Sequence, residues 1–386
     1  MAAIKSHALS ESLTGKICLL TLTANNTLIV ETGKPGKTKT TEKQFADKAE
    51  AAKQFTKKEW ELLKKGFVFT NKTATAGQPL LHYFVGGGYT GALAFQPTPD
   101  GVFIYKNGWY NSATDQQDFL VLLSESGELK QTIELPTILA WDIQYQQPDN
   151  SLLLDLDHHI YRYDIETNVF TLLAKMHRTA ASFITVSASK TAYASGDTFY
   201  IVDNLNEIVL QQHYTTQIVR GNIPFCAAIS SDGAVLAFHN TPGKIQLIST
   251  TNGQLLHTIS GDFDIIQKLH FTDHDKLLVV MEYYMRSGLR YFDINTCDEQ
   301  FYTALAIPGY TKDINEFCFN HNNTILVQIQ RTTAYIFDFN AKKVIQKIEL
   351  EHAVKTVAAK FVGGQLGIRT DYGCFSLYAV PALTSI

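Results

Sequence analysis

From about residue 90 onward, apolar runs of four to seven positions alternate with polar turns, and the alternation itself recurs with a long period. The turns "TPDG" (98–101), "QPDN" (147–150), "SASK" (187–190), "SSDG" (230–233), "DHDK" (273–276), "NHNN" (320–323) and "VGGQ" (362–365) start 40 to 49 residues apart. Each turn separates a first apolar strand from a second. A third strand follows, ending in an aromatic or apolar residue and often Asp, and then a fourth. In the third strands "HIYRYDIETN", "TFYIVDNLNE", "LRYFDINTC" and "AYIFDFNAK", the residues Asp164, Asp203, Asp293 and Asp338 fill one slot. Runs of this length are those of half-buried strands, and no single unit can cover both of its faces. Stacking the units radially buries both.

The pattern resembles the WD40-like β-propeller family, whose units of about 40–45 residues each make one four-stranded blade. The resemblance covers roughly residues 79–386 and lies in the spacing. No Gly-His dipeptide opens a unit, and Tyr-Asp, Val-Asp or Phe-Asp stands where the family has Trp-Asp. It implies a mainly β fold, a seven-bladed β-propeller with one blade per turn. The last unit has three strands before the chain reaches "PALTSI", and "PLLHYFVG" (79–86) is an apolar strand without a unit of its own. We expect 79–86 to form the outer strand of the last blade, so that the ring closes without a long open edge.

Ahead of the repeats, "GKICLLTL" (15–22), "NTLIVET" (26–32) and "KTKTTEKQF" (37–45) predict three antiparallel strands with turns at 24–26 and 33–36. The stretch 46–66 predicts one helix ending at Gly66, with Ala52, Phe55, Leu62 and Leu63 on its apolar face and lysines elsewhere. We expect an N-terminal tail over 1–14 and a small α+β domain over 15–72. This arrangement is similar to the WGR domain, a module of poly(ADP-ribose) polymerases and some bacterial proteins. The likeness rests on Val30, Gly33, Gly36 and Phe45, with "AAKQF" (51–55) and "LLKKGF" (62–67). The Trp slot of the motif holds Thr32 and the Arg slot holds Lys34. In the polymerases the resemblance implies contact with DNA ends, where an aromatic ring stacks and Arg forks onto phosphate. Thr cannot stack, and Lys is a point charge. What this sequence offers nucleic acid is Lys34, Lys37, Lys39 and Lys43 on turn and strand, with Lys57, Lys58, Lys64 and Lys65 on the helix. Glu31, Glu42, Asp47, Glu50, Glu59 and Glu61 are interleaved with them, as on a solvated face.

Composition adds a charge asymmetry. The 386 residues carry a net charge of −4, but residues 1–71 hold 12 Lys and 7 acidic residues. The remainder holds 21 Lys and Arg against 30 acidic residues, a basic head on an acidic body. Five scattered cysteines (Cys18, Cys226, Cys297, Cys318, Cys374) form no CxxC pair, which argues against a disulfide framework or Cys-based zinc and favours a reducing, cytoplasmic setting. The opening residues show no apolar segment of a secretory signal. Residues 73–99 are uncharged yet hold three prolines and a Gly triplet, so we read them as a linker into strands rather than a membrane span.

Candidate chemistry is sparse. "LDLDHHIYRYD" gathers Asp155, Asp157, His158 and His159, but adjacent histidines on a strand point to opposite faces, so the stretch reads as a turn and no metal site is assigned. "GGGYTG" (86–91) lacks the Lys-Ser/Thr and the helix of a phosphate loop. No nucleophile elbow or HExxH motif is present, and no catalytic residue or cofactor is expected. The loops of one rim carry Trp109, Tyr110, Tyr283, Tyr284, Arg286 and Tyr310, residue types enriched at interface hot spots. The sequence therefore favours a non-catalytic scaffold that binds a protein partner through this rim. A nucleic-acid adaptor is the alternative, and a propeller hydrolase a weaker one.

Overall fold

The computed structural model describes residues 2–86, 92–108, 117–157, 159–175, 183–195, 197–214, 226–263, 265–283, 288–307, 314–354 and 356–381. The chain is mainly β, with one α-helix among the described residues. Six separate four-stranded antiparallel sheets span 95–134, 140–175, 184–213, 226–260, 265–300 and 314–349. Each is built in chain order about one of the polar turns. Several of those turns close through a last residue in left-handed backbone, as Asn150 (φ 47°), Gly233 (φ 74°) and Asn323 (φ 55°) do. The Asp slot acquires a physical reason. Asp203 Oδ1 accepts from the backbone N–H of Leu205 and Glu207, and Asp293 Oδ1 from those of Asn295 and Thr296. Asp164 and Asp338 do the same toward Thr167 and Ala341. Each Asp thus shapes the turn into its fourth strand through its own carboxylate.

Neighbouring sheets pack face to face. The second strand of a sheet is covered on both sides, and Ser151–Leu156 and Ile325–Gln330 are buried at all six positions. Fourth strands such as Leu129–Glu134 are mostly exposed. The ring is closed by Phe95, Val102 and Val121 of the first sheet, packed with Val362, Phe375 and Leu377 from the end of the chain. This is a β-propeller arrangement.

The expectation of seven separate four-stranded blades is corrected here. The strands after the seventh turn belong to a nine-stranded sheet that also contains the head. The head supplies β1 (Ala3–Glu11), β2 (Lys16–Thr23), β3 (Thr27–Lys34), β4 (Lys37–Gln44), α1 (Lys48–Leu63) and β5 (Val68–Thr70), and β6 (Pro79–Phe84) follows. The sheet runs Val357–Val362, Gln365–Thr370, Cys374–Tyr378, β6, β5, β1, β2, β3, β4. On one side β6 pairs with Cys374–Tyr378, setting Leu81 opposite Leu377 and His82 opposite Ser376. Its other edge is taken by β5, with Phe69 opposite His82. The sheet therefore does not stop at four strands.

Two further corrections concern the head. Residues 1–14 are not a tail, because β1 lies between β5 and β2 in the middle of the sheet. Its inward positions are His7, Leu9 and Glu11, two of them polar, so it shows no plain apolar alternation. On α1, Ala51 is buried and Ala52 exposed, and the inward face is Ala51, Phe55, Glu59, Leu62 and Leu63. Asp47 caps the helix by accepting from the Glu50 N–H. The head core of Leu9, Leu20, Leu22, Leu28, Phe55 and Phe69 is continuous with Cys374 of the last strand.

Candidate functional site

The stretch between β3 and β4 is the turn of a hairpin. Residues directly opposite in an antiparallel pair share a face, and β4 sets Lys37 opposite Lys34, Lys39 opposite Thr32, Thr41 opposite Val30 and Lys43 opposite Leu28. All four candidate lysines therefore lie on one face, the face on which Leu28 and Val30 pack with the helix. Glu31 and Glu42 fall on the opposite face, where Glu31 Oε1 accepts from Thr38 Oγ1 at 2.7 Å. The charges that alternate along the sequence are thus sorted by the pleat. Between hairpin and α1 runs a groove floored by Leu28, Val30 and Phe45 and flanked by Lys43, Lys57 and Lys58. The Lys43 ammonium sits 5.2 Å from the centre of the Phe45 ring.

The rim residues Trp109, Tyr110, Tyr284, Arg286 and Tyr310 lie outside the described residues, as does the side chain of Tyr283. His158 lies outside them too. His159 opens the strand His159–Asp164, with its Nδ1 2.8 Å from the Asp157 carbonyl oxygen. Of 86–91, only Gly86 is described, and its carbonyl accepts from the fully buried Arg369.

The innermost strands bring charged groups together. Lys360 Nζ donates to Gln96 Oε1 (2.8 Å) and the Ile143 carbonyl (2.7 Å), and lies 3.4 Å from Asp142 Oδ1. Lys268 Nζ donates to Glu316 Oε1 (2.7 Å) and the Phe317 carbonyl (2.8 Å). Asp142 and Glu316 thus each face a lysine.

Among the described residues, a dense cluster of titratable groups lies where head meets propeller, at positions not singled out by any motif. Glu59 projects inward from α1 and is fully buried. Its Oε1 pairs with Nδ1 of His7 on β1, and its Oε2 lies 3.0 Å from Nε2 of His352, which follows the strand Lys343–Glu349. His82 of β6, also fully buried, has Nδ1 2.8 Å from Ser376 Oγ and Nε2 3.3 Å from Glu351 Oε2. Lys5 Nζ donates to Glu351 Oε1 at 2.7 Å. Aromatic rings pack the cluster, with His7 stacked on Phe69 (4.1 Å), Phe69 on His82 (5.2 Å) and Trp60 on His352 (5.3 Å). Burial alone would raise the Glu59 carboxyl, but the hydrogen bonds with His352 and His7 hold it well below the usual carboxylate range. Burial pushes His82 below the ordinary histidine range. The one sequence signal for this cluster is a carboxylate, Glu59, on the apolar face of a helix. Its spacing from Phe55 (i+4) and Leu62 (i−3) places it on the same helix face as those residues.

No family model and no curated protein matches the sequence. Among solved structures 1535 chains match, so the likeness is to a widely used architecture and singles out no activity. One of them, a chain of the "Crystal Structure of Mitotic Checkpoint Complex", has a TM-score of 0.60 at 12% identity, covering 81% of this chain and 94% of its own. None of the helices among the described residues is long and apolar enough to cross a membrane. What the likeness carries to this chain is its fold, a β-propeller.

Proposed function

We propose that the protein is a non-catalytic, cytoplasmic scaffold that binds a protein partner through its propeller rim, with Trp109, Tyr110, Tyr283, Tyr284, Arg286 and Tyr310 as the anchors. In this reading the ring has seven blades, the last made of Val357–Val362, Gln365–Thr370, Cys374–Tyr378 and β6, and residues 15–72 are a WGR-like module built onto it. The observation that carries the reading is the continuity of the nine-stranded sheet. A head hydrogen-bonded into a blade cannot swing, so rim and head form one rigid platform, and rigid scaffolds present binding loops at low entropic cost. Five free cysteines agree with a reducing setting. The neighbour of known structure comes from a protein complex, which agrees with a protein partner. The test compares wild type with alanine changes at the five aromatics, first in capture from native extract and then with the purified partner. Anchors should each cost about 2 kcal/mol or more of binding, roughly 30-fold in Kd, without lowering the melting temperature. Capture that survives all five changes, together with a turnover abolished by changing Asp142 or Glu316, transfers the function to the hydrolase reading.

A second reading, contact of the head with nucleic acid, is favoured by the sorting of Lys34, Lys37, Lys39 and Lys43 onto one exposed hairpin face. The full chain should then shift duplex DNA weakly, with affinity falling steeply between roughly 50 and 200 mM salt. Changing the four lysines to serine should flatten that dependence. Submicromolar binding at physiological salt would make this the leading function.

A further inference from the structure

The cluster between head and propeller contains two buried polar atoms, His82 Nε2 and Glu351 Oε2, that lie 3.3 Å apart as an ion pair without hydrogen-bond geometry. Beside them stand Glu59 Oε2 and His352 Nε2. The four side chains present one ligand atom each, all within 4.8 Å of one another. We propose that Glu59, His82, Glu351 and His352 form a structural zinc site that fastens the head to the propeller.

Three features carry the assignment. First, bonds of about 2.0–2.1 Å to a tetrahedral ion place neighbouring ligand atoms roughly 3.3–3.4 Å apart. The His82–Glu351 pair is at 3.3 Å and the Glu59–His352 pair at 3.0 Å. The remaining distances, up to 4.8 Å, need only a contraction about the ion. Second, the outer partners of three of the four ligands are in place. Ligating histidines and carboxylates are held through their other polar atom. Here His82 Nδ1 is held by Ser376 Oγ, Glu59 Oε1 by His7 Nδ1 and Glu351 Oε1 by Lys5 Nζ. Third, the chemistry selects the ion. Two imidazole nitrogens and two carboxylate oxygens suit zinc, whereas magnesium and calcium take oxygen sets. Four protein ligands from α1, β6 and the connection after Lys343–Glu349 leave no position for substrate, so the site is structural.

This inference is independent of the partner reading. The full chain, stripped with chelator, is titrated with cobalt chloride and then with zinc chloride. We expect one equivalent of cobalt bound with the visible absorption of four-coordinate cobalt, its bleaching by one equivalent of zinc, and a zinc-dependent rise in melting temperature. His352→Gln, which keeps an N–H for Glu59, and His82→Gln should weaken zinc at least 100-fold. Ser376→Ala should weaken it about 10–100-fold, as outer-partner changes do. The control His213→Gln, at an exposed histidine beside Asp197, should change nothing. Folded wild type that takes up less than about a tenth of an equivalent of either metal overturns the proposal, whatever the variants do. Equal zinc affinity in wild type, His82→Gln and His352→Gln overturns it as well.

Discussion

Glu59 and His352 lie 293 positions apart in the chain and 3.0 Å apart in space, the one on the head's helix and the other in the propeller's last connection. Glu59 is fully buried and also paired with His7, so removing it strands two imidazoles among aromatic rings. Breaking a buried pair from one side costs about 3–5 kcal/mol. Glu59→Ala should lower the urea stability by that order when measured in excess chelator. A loss under about 1 kcal/mol would mean that the pair does not fasten the head.

The turn-shaping aspartates predict a small, local effect. Asp203→Ala deletes two charge-assisted bonds from backbone N–H groups in an exposed turn. We expect about 1 kcal/mol of destabilisation, and a similar figure for Asp293→Ala, with Asp→Asn retaining most of it. Asp→Asn variants as destabilised as the alanines would show that charge, rather than turn geometry, matters there.

His239 gives a pH dependence. It is 4% exposed, both ring nitrogens lack a hydrogen-bond partner among the described residues, and burial pushes its pKa down to about 4. Above the ordinary histidine value near 6.5 the ring is neutral in both states, and its contribution to stability is complete. As pH falls from about 6.5 to 4, the unfolded chain takes up a proton that the folded chain refuses, and up to about 3 kcal/mol is lost. Urea midpoints at roughly pH 7 and 4.5 should therefore diverge more in wild type than in His239→Leu. Equal divergence would remove His239 as the cause.

Both the strand repeat and the hairpin of the head could be read along the chain, because local periodicity and turn residues encode them. The ring of neighbours could be argued as well, since second strands such as Ser151–Leu156 carry too much apolar surface for one sheet to cover. The extension of the last sheet into the head could not. It depends on β5, three residues long, and on β1, whose inward His7 and Glu11 obey no apolar alternation. The Glu59 cluster was hidden for the same reason. Its members are spread from His7 to His352, and only the pairing of β6 with Cys374–Tyr378 brings them together.

That pairing predicts how the molecule fails. Leu81 is buried in β6, with strands on both sides. Leu81→Pro removes a ladder donor from a central strand, which sheets tolerate only at edges. The variant should expose two unpaired edges and associate in size-exclusion chromatography, with early proteolysis in the head. A monomeric variant with unchanged melting would show that the sheet does not depend on β6.

The span between His82 and Ser376, 294 positions, also sets a timetable for synthesis. At roughly 5–20 residues per second, β6 leaves the ribosome about 15–60 s before its permanent neighbour exists. During that interval the nascent chain displays a naked apolar edge, and the head can gather its own strands but has nothing to anchor them. Ring closure is then a single late event that joins β6 to a strand made about 290 residues later. A ribosome that stalls short of residue 374 releases a product that carries the head and six of the sheets yet lacks its clasp.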